Sequence, residues 1–291
     1  MSERKPIISI VIPTYEMKGQ GVEFLGRCLR SIDKQIGVTP NTVEIVISDQ
    51  SHDDAIELFC KEQLAHSIIP IRYQRTKTGK GSAAHNLNQG INLAHAQYIK
   101  ILFQDDLLVE TTYLKTLLEL ILEKASDCIF SAATHTRDGQ EFYNPITPTT
   151  NPYFLFGNNT VSSPSVITAS KALLTSIPFD EHLKMLFDCD FYYAIFSSAQ
   201  HIEFCNSIAV ANGVWDGQTQ FGISAKQFTQ EVRYLHWKYP SAQLDQLLPR
   251  YQNYFSALHP DAPFPFSADI KPALYQSLWW RLTRRQSEAC T

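Results

Sequence analysis

Asp105 and Asp106 stand side by side at the end of a short apolar run, Tyr98–Phe103 (YIKILF). Two adjacent carboxylates at a strand end can hold a hard divalent cation whose remaining sites go to water and phosphate oxygens. They can equally form a turn or a helix cap, where Asp is common. A second acidic group, Phe187-Asp188-Cys189-Asp190-Phe191, opens a helical stretch. There the carboxylates can favour the positive end of the helix. Asp49 closes another apolar run, Val43–Ile47. Lys77 and Lys80 precede Gly81 and a helical segment, so a helix N-terminus flanked by ammonium groups can hold a diphosphate. The alternative for these lysines is a solvated loop.

Such residues need a scaffold that brings them together. Ile8–Ile12 (ISIVI) is a β-branched run suited to a strand buried on both faces, and it stops at Pro13-Thr14-Tyr15. Helical spacing over Val22–Ile36, a strand at Val43–Ile47 and a helix over Asp53–Leu64 follow. A strand at Ser67–Tyr73 leads through a polar loop into a helix over Ser82–Ala94. Then come the strand Tyr98–Phe103, a helix over Thr111–Lys124 and a strand at Cys128–Ala132. This alternation predicts an α/β fold with a Rossmann-like, doubly wound, mostly parallel sheet and helices on both faces. Ligands of such sheets bind outside the carboxyl ends of the strands, where Thr14, Asp49, Asp105 and Asp106 fall. Residues 138–164 read as a long loop over a binding site. Helical signals resume at Asp188–Ser197, Ala225–Tyr239 and Ser241–Leu258.

Composition narrows the function classes. A net charge of −4 gives no global positive field to draw the chain to nucleic acid. The six cysteines form no CxxC pair or zinc spacing and read as reduced thiols of a cytosolic protein. The N-terminus lacks a signal-peptide apolar stretch, and no run approaches the ~20 apolar residues of a membrane span. A cytoplasmic protein is expected. The segment Lys271–Arg285 mixes Trp, Leu and Arg, and either lies peripherally on an inner membrane face or packs on the protein.

Three stretches, SIVIPTYE, EIVISDQSHDD and GKGSAAHNLNQGINLAHAQYIKILFQDD, resemble in order and spacing the donor-site motifs of the inverting family 2 glycosyltransferases of the GT-A fold. The similarity covers roughly the first 110 residues and continues less sharply to about residue 220. It implies transfer of a sugar from a UDP-, GDP- or TDP-type donor to a glycan or lipid-linked acceptor, in the manner of bacterial surface-polysaccharide or lipopolysaccharide enzymes. Mn²⁺ or Mg²⁺ is the implied cofactor. By the same resemblance Pro13, Thr14, Tyr15, Asp49, Lys80, Gly81, Asn86 and Asp105 bind the donor nucleotide, and Asp105 with Asp106 holds the metal. Asp188 matches the general base of the family's acidic motif. Asn159, Ser163, Asp190, Trp215 and Asp216 line the expected acceptor or sugar site. The implied layout is a catalytic domain over residues 1–222, with a donor half to about 110, and a helical C-terminal extension over 223–291.

The chain departs from the pattern at three positions. Phe103 replaces the first aspartate of the metal motif, Phe187 replaces a glutamate beside the base, and Trp215 stands where many relatives place a histidine. These departures keep open a catalytically inactive relative that binds a nucleotide or a partner. A sugar nucleotidyltransferase on a similar sheet is the other alternative, although Pro13-Thr14-Tyr15-Glu16-Met17 lacks the Gly-rich basic signature such enzymes carry after their first strand.

Overall fold

Ile8–Thr14 forms β1, and every one of its residues is buried, as its unbroken β-branched run requires. The computed structural model describes residues 5–64, 67–77, 81–218, 222–261 and 264–265. β1 pairs in parallel with β2 (Val43–Asp49) on one side and β4 (Tyr98–Ile101) on the other, and β2 pairs in parallel with β3 (Ile71–Arg75). Pro13 is tolerated in this central strand because the last ladder bond toward β4 runs from Leu102 N to Val11 O. Its missing N–H therefore faces a side where the ladder has ended.

The crossover helices α1 (Gly21–Asp33), α2 (Ala55–Leu64) and α3 (Ala83–Leu93) cover this parallel half. Ser82 caps α3 by accepting from His85 N, which satisfies one orphan donor of the first turn. Helix α3 lies so close to β1 that a Cβ on Gly90 would come within 2.5 Å of Val11 Cγ1 and 3.3 Å of Ser48 Cβ. Gly90→Ala is therefore expected to lower stability by about 1–3 kcal/mol through overpacking, despite alanine's better helix propensity. Urea denaturation should show the loss, and Val11→Ala in the same chain should restore part of it.

The second half departs from a simple parallel order. Among the described residues nine strands join one curled, largely parallel sheet in the order β3-β2-β1-β4-β8-β6-β9-β5, with β7 paired to β6. After β5 (Leu107–Leu108) and α4 (Tyr113–Lys124), β6 (Cys128–Thr136) runs parallel to β9 (Ile202–Gly213). β8 (Ile167–Ser170) enters antiparallel between β4 and β6. The expected loop over 138–164 contains β7 (Tyr143–Ile146), which pairs with the later part of β6. The short helix α5 (Lys171–Ser176) and α6 (Phe187–Ser198) connect β8 to β9. Short strands such as β5 and β8 carry too few residues to show a period, and β9 changes its burial pattern midway.

The described chain divides into two compact units, residues 1–150 with 159–221, and residues 151–158 with 222–291. The second unit contains α7 (Ala225–Lys238), capped by Ser224, and α8 (Leu244–Leu258). Residues 151–158 belong to it through aromatic packing: the rings of Phe156 and Tyr251 stack with centroids 4.9 Å apart, and Tyr153 lies 5.2 Å from the same ring. The helical unit thus takes a segment from inside the expected loop as well as from the C-terminal part of the chain. Lys271–Arg285 lies outside the described residues.

Candidate active site

Of the residues singled out in the sequence, Pro13, Thr14, Tyr15, Asp49, Asp105 and Asp106 lie at or just beyond the carboxyl ends of β1, β2 and β4, within the first unit. Thr14 ends β1 in register with Asp49. Its carbonyl accepts from Gln50 N at 3.0 Å and from Asn86 Nδ2 at 2.9 Å, so α3 is tied to the end of β1. The Oδ1 of Asn86 is buried without a partner. Tyr15 N donates to Gln104 Oε1 at 2.6 Å, and Gln104 Nε2 donates to Gly21 O at 3.1 Å. Gln104, within the quoted FQDD stretch, thereby sets the turn after β1. The Tyr15 phenol is pushed up to about 12 by burial and by the charges of Asp105 and Glu16, so it stays a neutral hydroxyl donor.

A cavity of about 330 Å³ opens above the ends of β2 and β3, lined by Gln50, Ser51, His52, Asp54, Arg75, Thr76 and Lys77. Asp49 lies beneath it and is fully buried. Its Oδ1 accepts from Ser51 N (2.8 Å) and Ser51 Oγ (2.5 Å), and its Oδ2 accepts from Tyr73 OH (2.7 Å). The carboxylate is not part of the cavity lining but holds Ser51, which is. Arg75 Nη2 donates to Ser51 O and His52 O at 3.1 and 3.0 Å, which fixes the adjoining loop. Gly81 takes φ +72°, a left-handed turn that directs the chain into α3. Lys80 lies outside the described residues.

Asp105 and Asp106 differ sharply despite their adjacency. Asp106 is held at both oxygens: Oδ1 accepts from Gly213 N, and Oδ2 accepts from Ser163 Oγ and Asn212 Nδ2, each at 2.9 Å. Burial raises its pKa while these donors oppose the rise. On Asp105, Oδ2 accepts from Trp215 Nε1 at 3.1 Å. Burial and then the charge of Asp106 push the Asp105 carboxyl up to about 7. Gly213 must be glycine here, because a Cβ would overlap the Asp105 carbonyl oxygen.

The donor set bears on the implied cation. Among the described residues no group of three His, Cys, Asp or Glu side chains could hold a metal ion. The Trp215 indole offers only an N–H and no lone pair in place of a histidine. Asp106 is committed to structure. That leaves Asp105 as the one protein carboxylate, a set that fits a hard cation held chiefly by diphosphate oxygens and water. Asp216 does not join it; its side chain faces solvent, 4.0 Å from Arg137 Nη1.

Asp188 sits half-buried in the first turn of α6. Its Oδ1 accepts from Cys189 N at 2.6 Å and its Oδ2 accepts from Asn159 Nδ2 at 2.8 Å. Burial pushes its pKa up to about 6 against these hydrogen bonds. Asn159 is itself pinned, donating to Ser162 O and accepting from Val161 N and Ser162 N. Ser162 holds φ +102°, unusual for a residue with a Cβ, and its Oγ donates to Asn212 Oδ1 at 2.5 Å. Tyr192 OH donates to Ser162 O. One continuous hydrogen-bond chain therefore runs from Asp106 through Ser163 and Asn212 to Ser162, Asn159 and Asp188. Asp190 points inward and is 2% exposed. Phe187 packs edge-on against Phe179, which accounts for an apolar residue beside the base position.

Ser162 lies in the loop already marked by the sequence, and Ser165 falls one residue beyond it. Asn212 and Gly213 carried no signal, since they end a strand whose partners are distant in the chain.

Solved structures share this fold. The structure of Staphylococcus aureus TarS 1–349 in complex with UDP-GlcNAc matches with a TM-score of 0.62 and 19% identity, over 88% of this chain and 74% of that one. The mannosyltransferase PcManGT of Pyrobaculum calidifontis, in complex with GDP-Man and Mn²⁺, gives a TM-score of 0.57 and 12% identity over 97% and 80%. The fold is GT-A. The chain belongs to glycosyl transferase family 2, whose profile matches residues 9–192. The glycosyltransferase GlyG of Streptococcus pneumoniae serotype 4 is 30% identical over 124 residues, which is 42% of this chain and 38% of GlyG.

Proposed function

We propose that the protein transfers a sugar from a nucleoside diphosphate donor to an acceptor hydroxyl with inversion. The observation that carries this reading is the hydrogen-bond chain linking Asp188 to the segment bearing Asp105 and Asp106. Asp188 takes the acceptor proton as the acceptor oxygen bonds to the anomeric carbon. The bond from that carbon to the diphosphate oxygen breaks, and its electron pair leaves with the nucleoside diphosphate. Proton transfer within the transition state spares the alcohol full prior ionisation. Asn159 orients Asp188 while leaving Oδ2 a lone pair for the proton.

The donor base belongs in the cavity above β2 and β3, with Pro13, Thr14 and Tyr15 along the nucleoside and Gly81 toward the diphosphate, to which Lys80, outside the described residues, is assigned from the sequence alone. Asn86 holds the end of β1 beneath it. A divalent cation, when bound through Asp105, neutralises charge on the departing diphosphate. Ser163 and Asn159 then border the sugar and acceptor from the loop side, with Trp215 opposite. The nucleotide sugars bound by TarS and PcManGT, and the Mn²⁺ of the latter, support this donor class. Catalysis is assigned to the unit of residues 1–150 and 159–221, in a cytoplasmic or membrane-peripheral enzyme of bacterial polysaccharide assembly. No helix among the described residues is long and apolar enough to cross a membrane.

A thermal-shift panel of UDP, GDP, TDP and their sugars, with and without Mn²⁺, tests the reading. A ligand at 100 times its Kd adds about 2.7 kcal/mol, so a metal-dependent rise in Tm with one nucleotide family is expected. No rise with any nucleotide would overturn the donor site. The Trp215 bond to Asp105 favours one second reading, an inactive nucleotide binder. That reading predicts the same Tm rise with neither transfer nor hydrolysis of the bound sugar nucleotide.

A further inference from the structure

Lys100 is fully buried near the site, and the reaction above assigns it no task. It lies in β4, and its Nζ donates to Ser165 O and, at 3.2 Å, to Tyr113 OH. The ammonium lies 5.0 Å from the centroid of the Tyr113 ring, and Tyr113 OH in turn shares a hydrogen bond with Ser131 Oγ. These partners are a carbonyl and a phenol, not a carboxylate. Burying a cation without an opposite charge in contact is costly, and a methionine would fill the same space without that cost.

Ser165, the residue Lys100 grips, is central to the site. Its Oγ accepts from Phe103 N at 2.8 Å, and its N donates to Ser163 Oγ at 3.2 Å. Ser163 Oγ donates to Asp106. The same turn continues through Ser162 to Asn159 and Asp188. The charged and titratable groups facing the ammonium are Asp106 after β4, Tyr113 of α4, Cys128 of β6 and Cys205 of β9. Thr168 of β8 stands opposite in register and is uncharged.

We infer that Lys100 is a positioning residue: from beneath the site, its ammonium group holds the Ser163–Ser165 turn that sets Asp106 and Asp188 in their working geometry. This rests on the transferase reading for its effect on turnover. Burial pushes Lys100 down to about 7, with the Asp106 charge opposing the drop, so the grip weakens as pH rises above neutrality.

Three variants test it with the full chain. Lys100→Met should bind metal and nucleoside diphosphate like wild type, by thermal shift, yet turn over at least about tenfold more slowly with little change in donor KM. Lys100→Arg keeps the charge at all accessible pH values and should lack the decline in kcat expected of wild type above pH 7. Tyr113→Phe, which keeps the Ser165 bond, should stay within about threefold of wild type. Amide hydrogen exchange over residues 162–166 should quicken in Lys100→Met, and this readout stands whether or not transfer is detected. Wild-type turnover in Lys100→Met, or unchanged exchange in that segment, overturns the inference and leaves the transferase reading intact. If Lys100→Met does not fold, the Lys100→Arg profile decides, and an alkaline limb identical to wild type overturns the inference.

Discussion

Replacing Asp188 by Asn is expected to leave the fold and donor binding intact while cutting transfer by about 10²–10⁴-fold, the usual worth of a general base. Asn keeps the size of the side chain and one acceptor oxygen, so one of the Cys189 and Asn159 contacts survives while the other is lost to its NH2 group, a local cost that the fold is expected to tolerate. It cannot take a proton. Steady-state rates beside a nucleotide thermal shift measure both halves, and wild-type turnover in the variant would remove Asp188 from the mechanism. The pH dependence follows from the same group. Burial holds Asp188 at about 6, above the ordinary carboxylate range, and the base works only when ionised. The rate should therefore fall about tenfold per pH unit below about 6 and level off above it, until the Lys100 limb begins. Asn159→Ala removes a donor that favours the carboxylate, so its acid limb should move to higher pH.

The two adjacent aspartates are expected to fail in different ways. Asp106→Ala removes the acceptor of the Gly213 N–H, the Ser163 hydroxyl hydrogen and one Asn212 amide hydrogen in a buried place, leaving Asn212 its other bond to Ser163 Oγ. Each unsatisfied donor costs about 1–3 kcal/mol, so a large drop in the urea midpoint should accompany lost activity. Asp105→Asn should abolish the metal-dependent nucleotide shift yet raise the basal stability at pH 8. The sign follows from linkage. The folded-state carboxyl sits at about 7 and the unfolded one near 4, so the folded protein binds the extra proton between these values. Stability then falls as pH rises through that window, and Asn escapes the fall. Tm of wild type and variant, measured without metal at pH 4.5 and pH 8, should converge at the lower value and separate at the higher. Equal loss of stability in both variants would show that Asp105 is also structural.

The chemistry-bearing types and their order were legible in the chain because local physics writes them there. A β-branched run followed by polar residues marks a parallel strand and its functional end, as at Ile8–Thr14, Val43–Asp49 and Tyr98–Asp106. The Ser82 cap and the helices after it follow from short-range periodicity and capping. Which carboxylate is free was decided only by folding. Asp105 and Asp106 are equivalent in sequence, but the end of β9 delivers Asn212 and Gly213 to Asp106 and leaves Asp105 facing Trp215. Asp49, Asp190 and Asp216 show the same division: the first two are buried and the third faces solvent, as sheet register and helix rotation dictate. The antiparallel entry of β8 between β4 and β6 sets Ser165 over Lys100, a contact across 65 residues. Hydrogen-bond partners of that kind depend on which strands become neighbours, and no local pattern encodes that choice.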